Sequence, residues 1–271
     1  MTVSGKPGGY TKKELFSGAV DILSFAVVIG ILVWLMAAGT ERLGYHWQWY
    51  RVPRYLFTVD GGRFVAGPLL AGLLITFQIT AVSMVTAFAV GLLTAVFRLS
   101  SSFTAAAVAR GYLELIRNTP LLIQIFLIYF VIAPVVGMSA FASAVIALSL
   151  FEGAYLSEIF RAGILSIHRG QWEASLSLGM NTFQTYRRVI LPQAVRRVLP
   201  PMAGQAVSLI KDSALVSTIA IYDLTMQGQA IIAETFLTFE IWFTVAAIYL
   251  VITASLSFLV HMMEERMKVE T

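Results

Sequence analysis

The amino-acid sequence predicts an all-α fold, a polytopic membrane bundle of about six transmembrane helices with a short helical segment in the cytoplasm. Hydrophobic residues make up 58% of the 271-residue chain, and charged residues make up only 13%. An ordinary soluble domain is about 45–50% apolar and about 25% charged. The apolar residues also fall in long runs, each close to the roughly 20 residues that a helix needs to cross a bilayer.

The candidate spans follow one another along the chain. They run near residues 19–38, 69–97, 120–137, 141–165, 200–222 and 241–263. The first run is longer than the roughly 7–15 apolar residues of a signal peptide, which favours an uncleaved anchor. The fifth run is expected to begin after Pro200 and Pro201. Between the second and third runs, Arg110, Glu114 and Arg117 share one helical face, which predicts a helix lying on the inner leaflet.

The lysine and arginine residues predict the orientation of the chain. With the N-terminus in the cytoplasm, thirteen of them fall in cytoplasmic segments and four in outer segments. Because lysine and arginine accumulate in cytoplasmic loops, both termini are expected on that side. The same loops account for the formal net charge of +4 without a nucleic-acid partner.

Several kinds of chemistry are disfavoured by what the sequence lacks. There is no cysteine, and hence no disulfide framework and no thiolate metal site. The three histidines form no His-x-x-x-His or His-Glu-x-x-His pattern, so neither a catalytic nor a structural metal is expected. The sequence also has no Gly-x-x-x-x-Gly-Lys-Ser/Thr loop to bind a triphosphate. The chain is therefore expected not to be an enzyme.

The loop between the fourth and fifth runs is the most informative stretch. It predicts two short helices separated at Gly179, which suits a left-handed C-terminal position. Asn181 and Gln184 have the spacing of a capping box for the second helix, which Pro192 is expected to end. Three apolar residues are expected to form an exposed patch beside the charge of Glu173. They are Trp172, Leu176 and Leu178.

This loop resembles the signature of the permease subunits of bacterial ATP-binding-cassette importers. That signature is Glu-Ala-Ala, three residues, Gly, nine residues and Ile-x-Leu-Pro. The chain matches it at the same spacing, with Ser175 in place of the second alanine and Val189 in place of the isoleucine. The matching positions, to which the resemblance assigns ATPase coupling, are Glu173, Ala174, Ser175, Gly179, Val189, Leu191 and Pro192.

Three further stretches resemble the polar-amino-acid branch of that family, whose substrates include histidine, glutamine, glutamate and arginine. They are residues 114–122, 154–164 and 210–215. The resemblance covers about 69–263 and implies a core of five helices, to which the N-terminal helix is an addition. The expected division is 1–68 for the tail, extra helix and periplasmic loop, 69–265 for the permease domain, and 266–271 for a cytoplasmic tail.

The resemblance also implies partners and a location. The chain would lie in the bacterial inner membrane and pair with a second permease subunit, identical or related. Two ATPase subunits, which bind ATP and magnesium, would receive the loop, and a periplasmic binding protein would deliver the amino acid. Nucleotide-driven closure would then move the helices between inward-open and outward-open states.

Ionisable residues at membrane depth suggest the substrate pathway, because they are costly there unless they face a cavity or a partner. The predicted site lies near Glu158, Lys211 and Asp212, with Gln78 adding hydrogen bonds. Arg161, three residues after Glu158, can also pair with it as a structural ion pair.

Other functions stay open at this point. A secondary transporter would show inverted repeats and broken helices, and no repeat is evident. An intramembrane enzyme would need a nucleophile or a metal site. A permease of the same superfamily for another solute, or a transport-silent half of a heterodimer, is also compatible with the sequence.

Overall fold

The computed structural model describes residues 12–60 and 62–267, which divide into two units, Met1–Gln48 and Trp49–Thr271. Most of the predicted N-terminal cytoplasmic tail, including Lys6, lies outside the described residues, as do residues 268–271 of the C-terminal tail. The boundaries predicted at residues 68 and 265 stay predictions.

The first unit contains one long helix, α1 (Lys12–Arg42). Its segment Ile22–Arg42 is long and apolar enough to cross a membrane. The large apolar side chains between residues 20 and 36 are exposed within the described chain. Lipid can accept such side chains, so this helix fits the first predicted span.

The second unit opens with short elements. A 3-10 turn (Trp49–Arg51) and the one-turn helix α2 (Pro53–Leu56) lead into a hairpin of β1 (Phe57–Asp60) and β2 (Arg63–Ala66). The two strands are antiparallel, with Phe57 opposite Ala66. This hairpin was not predicted, but the described chain is otherwise helices joined by turns, and the all-α class is confirmed.

Ten helices, long and short, form the described part of the second unit after the hairpin. They are α3 (Pro68–Leu99), α4 (Phe103–Arg117), α5 (Leu121–Phe126), α6 (Ala133–Val136), α7 (Ala140–Leu165), α8 (Arg169–Ser177), α9 (Thr182–Thr185), α10 (Leu191–Asp212), α11 (Leu224–Thr235) and α12 (Thr238–Met267). A π-helical segment, Leu127–Ile132, joins α5 to α6, and a second one, Tyr186–Ile190, joins α9 to α10. A 3-10 segment, Ser213–Ile219, follows α10.

Four of the described helices are long and apolar enough to span a membrane, namely α1, α3, α7 and α12. The bent pair of α4 with α5 and α6, which turns by 105°, raises this number to five if it forms one span. The predicted fifth span, near residues 200–222, covers the second half of α10 and the 3-10 segment after it. Helix α10 carries Arg196, Arg197 and Lys211 and does not pass the same test. The count of six is therefore not confirmed.

Two predictions about prolines were wrong. Pro200 and Pro201 lie inside α10 instead of preceding a helix, and Pro192 lies in its first turn instead of ending one. A proline cannot donate to the carbonyl four residues earlier. Pro192 is the second residue after the π-helical segment, as Pro134 of α6 is the second residue after the other one. The altered hydrogen bonding of these segments accommodates the missing donors and lets each helix continue.

The bundle is organised by the close packing of α3 against α7. A Cβ atom added to Gly91 of α3 would lie 2.9 Å from the carbonyl oxygen of Gly153, and one on Gly153 would lie 2.9 Å from Val90 Cγ1. Small residues permit such backbone approach between membrane helices. The hydroxyls of Thr86 and Ser149 also hydrogen bond across this interface. Two glycines and a hydroxyl pair thus set the spacing of the two helices.

We expect Gly91→Ala to lower the melting temperature of the protein in detergent. Its methyl group would meet backbone atoms of α7, and forcing such a group into a packed interface costs about 1–3 kcal/mol. Gly111→Ala on α4 is the matched control, since nothing lies within 4 Å of its added Cβ. That control should be neutral or stabilise by about 0.5–1 kcal/mol. Equal melting temperatures for the two variants would contradict this account of the interface.

Candidate functional site

The signature loop folds into a compact knob of two helices, α8 and α9. Gly179 has φ +76°, the left-handed conformation that glycine adopts without strain. The amide of Met180 donates to the Ser175 carbonyl (3.1 Å) and that of Gly179 to the Leu176 carbonyl (2.9 Å), which is a Schellman motif. The predicted helix break is thereby confirmed.

The predicted capping box at the start of α9 is also present. The Gln184 amide donates to Asn181 Oδ1 (2.9 Å), and the Asn181 amide donates to Gln184 Oε1 (3.0 Å). These two reciprocal bonds satisfy amides that a helix start leaves open. The loop therefore has a defined shape that its own sequence specifies.

A small apolar core holds the knob against the bundle. Ile167, Ile190 and Ala194 are buried in it, and Trp172 and Tyr186 pack around them. The two aromatic rings meet edge to face with centroids 5.0 Å apart. Trp172 is therefore part of the core of the knob, which corrects its predicted place in an exposed patch.

Ser175 joins the two helices of the knob. It is buried, and its hydroxyl lies 2.8 Å from the Trp172 carbonyl oxygen, to which it donates, and 3.1 Å from the Thr185 hydroxyl. A serine in place of the signature alanine is thus tolerated because both of its neighbours are polar atoms.

The outer surface of the knob is mixed apolar and acidic. Leu176, Leu178 and Phe183 are exposed, as are Ala174 and Glu173. Glu173 pairs with Arg169 one turn earlier at 3.2 Å. Phe183 was not among the predicted site residues, because the signature motif treats its position as variable. Exposed large apolar groups beside a charge are typical of a docking surface.

The second half of the signature lies where the knob meets α10. Ile190 is fully buried, and Val189 is half-buried. The Val189 carbonyl accepts a hydrogen bond from Gln193 (2.8 Å). Leu191 and Pro192 are exposed in the first turn of α10. These positions therefore support the knob and continue it into the bundle.

Glu158 lies in a cluster of arginines contributed by three helices. Its carboxylate is bonded to Arg98 at the end of α3 and to Arg161 one turn on (3.0 Å), and it lies 3.5 Å from Arg117 of α4. The predicted pair with Arg161 is confirmed. With these partners Glu158 is an ion-pair centre that ties α3, α4 and α7 together.

The other predicted substrate residues lie elsewhere. Lys211 and Asp212 are the last two residues of α10. Among the described residues, no ion pair joins Glu158 to Lys211. Lys211 is exposed and Asp212 is half-buried. Gln78 lies on the exposed face of α3, whereas Thr76 and Thr80 lie on its buried face. The structure thus does not bring the predicted set into one site.

Glu152 is the polar group that the prediction left out. It lies in the middle of α7 and is fully buried, and neither of its carboxylate oxygens has a hydrogen-bond partner among the described residues. Two polar residues of α10, Gln205 and Asp212, lie close enough to interact with its charge. A carboxylate inside an apolar run could have identified Glu152 as a candidate from the sequence. Only the structure shows that no cation among the described residues pairs with it.

Comparisons with known proteins point to the same family as the signature loop. A family model described as "Binding-protein-dependent transport system inner membrane component" matches residues 87–269. The glutamine transport system permease protein GlnP of Escherichia coli strain K12 is 40% identical over 204 residues, covering 74% of this chain and 93% of that protein. The L-cystine transport system permease protein TcyB of Bacillus subtilis is 40% identical over 203 residues, covering 74% and 87%.

A solved structure is similar over the same region. A crystal structure of an amino acid ABC transporter with histidines matches with a TM-score of 0.70 and 39% identity, covering 73% of this chain and 94% of that chain. The matched core therefore has the fold of a transporter permease.

We expect Thr185→Val to loosen the knob without unfolding the bundle. The substitution removes the hydrogen bond to Ser175, worth about 1 kcal/mol, which corresponds to roughly fivefold faster amide exchange by local opening. Hydrogen-exchange mass spectrometry of residues 169–186 measures this. Ser177→Ala is the control, because that hydroxyl bonds only within α8. Wild-type exchange rates in Thr185→Val would refute the bridging role.

Proposed function

Because the chain belongs to the family of binding-protein-dependent transport system inner membrane components, we propose that it is the permease subunit of an ATP-driven importer for a polar amino acid. The amino-acid class is supported by relatives named for glutamine and cystine and by the amino acid ABC transporter structure. The observation that carries the proposal is the exposed, well-capped knob built by the signature loop.

An importer of this kind needs a subunit that supplies energy. We infer that the knob binds this subunit, an ATPase carrying ATP and magnesium. The acidic and apolar surface formed by Glu173, Ala174, Leu178 and Phe183 would enter a groove of that subunit. We infer the orientation with both termini in the cytoplasm, which places the knob on the ATPase side. An external binding protein and a second permease subunit would complete the importer.

Hydrogen bonds connect the knob to α10, and α10 to the end of α7. Gln193 of α10 donates to Gln171 of α8 (3.3 Å), and Arg197 donates to the carbonyl of Ser166 at the end of α7 (2.5 Å). Further along, Val198 of α10 packs against Gly163 of α7. A displacement of the knob would therefore shift α7 and α10 together, as alternating access requires.

The same two helices carry the candidate substrate contact. Glu152 of α7 and Asp212 of α10 are acidic groups near one another, and Glu152 has no cationic partner among the described residues. A buried carboxylate is stable only with a compensating charge or proton. The α-ammonium group of an amino acid supplies such a charge, so Glu152 replaces Glu158 as the proposed recognition residue.

We expect Gly179→Val to reduce ATPase co-purification at least fivefold. A β-branched residue in the left-handed conformation costs about 1–2 kcal/mol, which distorts the knob but leaves the membrane bundle intact. The protein is purified with its co-expressed ATPase neighbour, and ATP hydrolysis is measured with the binding protein and a panel of amino acids. Gly137→Val is the matched control, because Gly137 has φ +70° and open space but lies outside the knob.

The outcomes of this experiment discriminate between functions. Co-purification that is lost only in Gly179→Val, with hydrolysis stimulated by one amino acid, supports the importer and identifies its substrate. An ATPase partner without stimulation by any amino acid would favour another solute. Equal ATPase recovery in the two variants would count against coupling through the knob.

We expect Glu152→Gln to raise the amino-acid concentration for half-maximal stimulation at least tenfold while basal hydrolysis is retained. The amide keeps the shape of the side chain but cannot balance an ammonium group. The melting temperature without substrate should stay equal or rise, because a buried carboxylate without a partner is removed. Glu114→Gln, at an exposed position on α4, is the control. A lower melting temperature with unchanged stimulation would assign Glu152 a structural role.

A further inference from the structure

A polar cavity of about 340 Å³ lies where the C-terminal ends of α3 and α4 meet α7. Its volume is in the range of small-molecule sites in proteins. The polar and aromatic groups that line it include Arg98, Arg110, Glu114, Arg117, Tyr155 and Glu158. The candidate substrate contact at Glu152 does not line this cavity.

The cavity has an excess of positive charge. Glu158 is already bonded to Arg98 and Arg161, so its charge is balanced without the other arginines. Arg117 reaches Glu158 only at 3.5 Å, and Arg110 makes no hydrogen bond or ion pair with any described residue. Glu114 is held by the side-chain amide of Asn118 (2.9 Å). Two guanidinium groups therefore have donors available to a ligand.

The placement of Arg110 and Arg117 favours one anion contacted by both. They lie seven residues apart on α4, and hence on the same face two turns apart. Guanidinium groups present a planar fork of donors that matches the oxygens of a phosphate group. Arg117 also lies over the ring of Tyr155 (5.8 Å), which restrains the direction of its guanidinium.

Helix α4, which lines the cavity, has the residue pattern of a helix at a membrane surface. Helix α4 packs on the bundle through Ala109 and Leu113, while Val108 and Leu115 are exposed apolar groups on its other side. An amphipathic helix of this kind lies at the boundary between headgroups and acyl chains. Basic pockets between membrane helices on the cytoplasmic side bind anionic headgroups.

We propose that this cavity binds a phosphate group, and that the phosphate belongs to the headgroup of an anionic phospholipid in the inner leaflet. The leaflet follows from the proposed orientation, whereas the binding itself requires neither transport nor an ATPase. The site would make the packing of α4 against α3 and α7 depend on lipid composition.

The test is native mass spectrometry of the full chain in detergent with added phosphatidylglycerol, and with phosphatidylcholine as the neutral lipid. We expect the wild type to retain phosphatidylglycerol at least tenfold better than Arg110→Gln or Arg117→Gln. Arg187→Gln is the matched control, because Arg187 is also exposed and lies in the π-helical segment after α9, outside the cavity lining. Arg110 has no partner among the described residues, so the melting temperature of Arg110→Gln without lipid should equal that of the wild type.

A second arm distinguishes the two sources of phosphate. The same variants are titrated with inorganic phosphate, and thermal stability is measured. Stabilisation by phosphate that requires Arg110, without selective retention of phosphatidylglycerol, would support the phosphate site and overturn the lipid as its source. Equal retention of both lipids by all variants, with no phosphate effect, would overturn the proposal. Because no step uses an ATPase or an amino acid, this failure would leave the importer function untouched.

Discussion

The close approach of α3 and α7 is the constraint on which the rest of the structure depends. Because Gly91 and Gly153 have no side chains, the two backbones come near enough for Thr86 and Ser149 to hydrogen bond between them. The same approach places Glu152, one residue before Gly153, in the buried part of α7. It also aligns the end of α3 with α7, so that Arg98 meets Glu158. The close packing that the two glycines permit thus determines the surroundings of both Glu152 and Glu158.

Helix α7 connects the apolar bundle to the knob. Its last residue is followed at once by Ser166, whose carbonyl and hydroxyl both accept from Arg197 of α10. The knob is joined to the N-terminal end of α10 by a π-helical segment whose Ile190 is fully buried. A docked partner would therefore push on two packed helices and not on a free loop, which suits a two-state change of the bundle better than a local distortion.

Local features were predictable from the sequence, and long-range ones were not. Gly179, Asn181 and Gln184 act through bonds to residues at most five positions away, and the helix break and capping box were predicted correctly. The long apolar runs also predicted the main helices. Two of the three arginine partners of Glu158, Arg98 and Arg117, come from α3 and α4, dozens of residues earlier, and no spacing rule predicts them. The third, Arg161, was predicted from its spacing. The prediction that Pro192 ends a helix was wrong because the π-helical segment before it lets the helix continue, although proline normally disfavours this.

Glu152 and Glu158 show how burial and partners assign different roles to the same side chain. They lie six residues apart on α7 and have equal intrinsic cost at membrane depth. Glu158 is partly exposed and surrounded by arginines, so its charge is compensated within the protein and stabilises contacts between helices. Glu152 is fully buried beside another acid, and no cation among the described residues pairs with it. A carboxylate without a cation stays buried only if breaking the packing around it would cost more free energy than burying its charge. Such a carboxylate is available to a cationic ligand. Burial and the ion pairs of the described residues therefore favour Glu152 over Glu158 as the candidate for recognition.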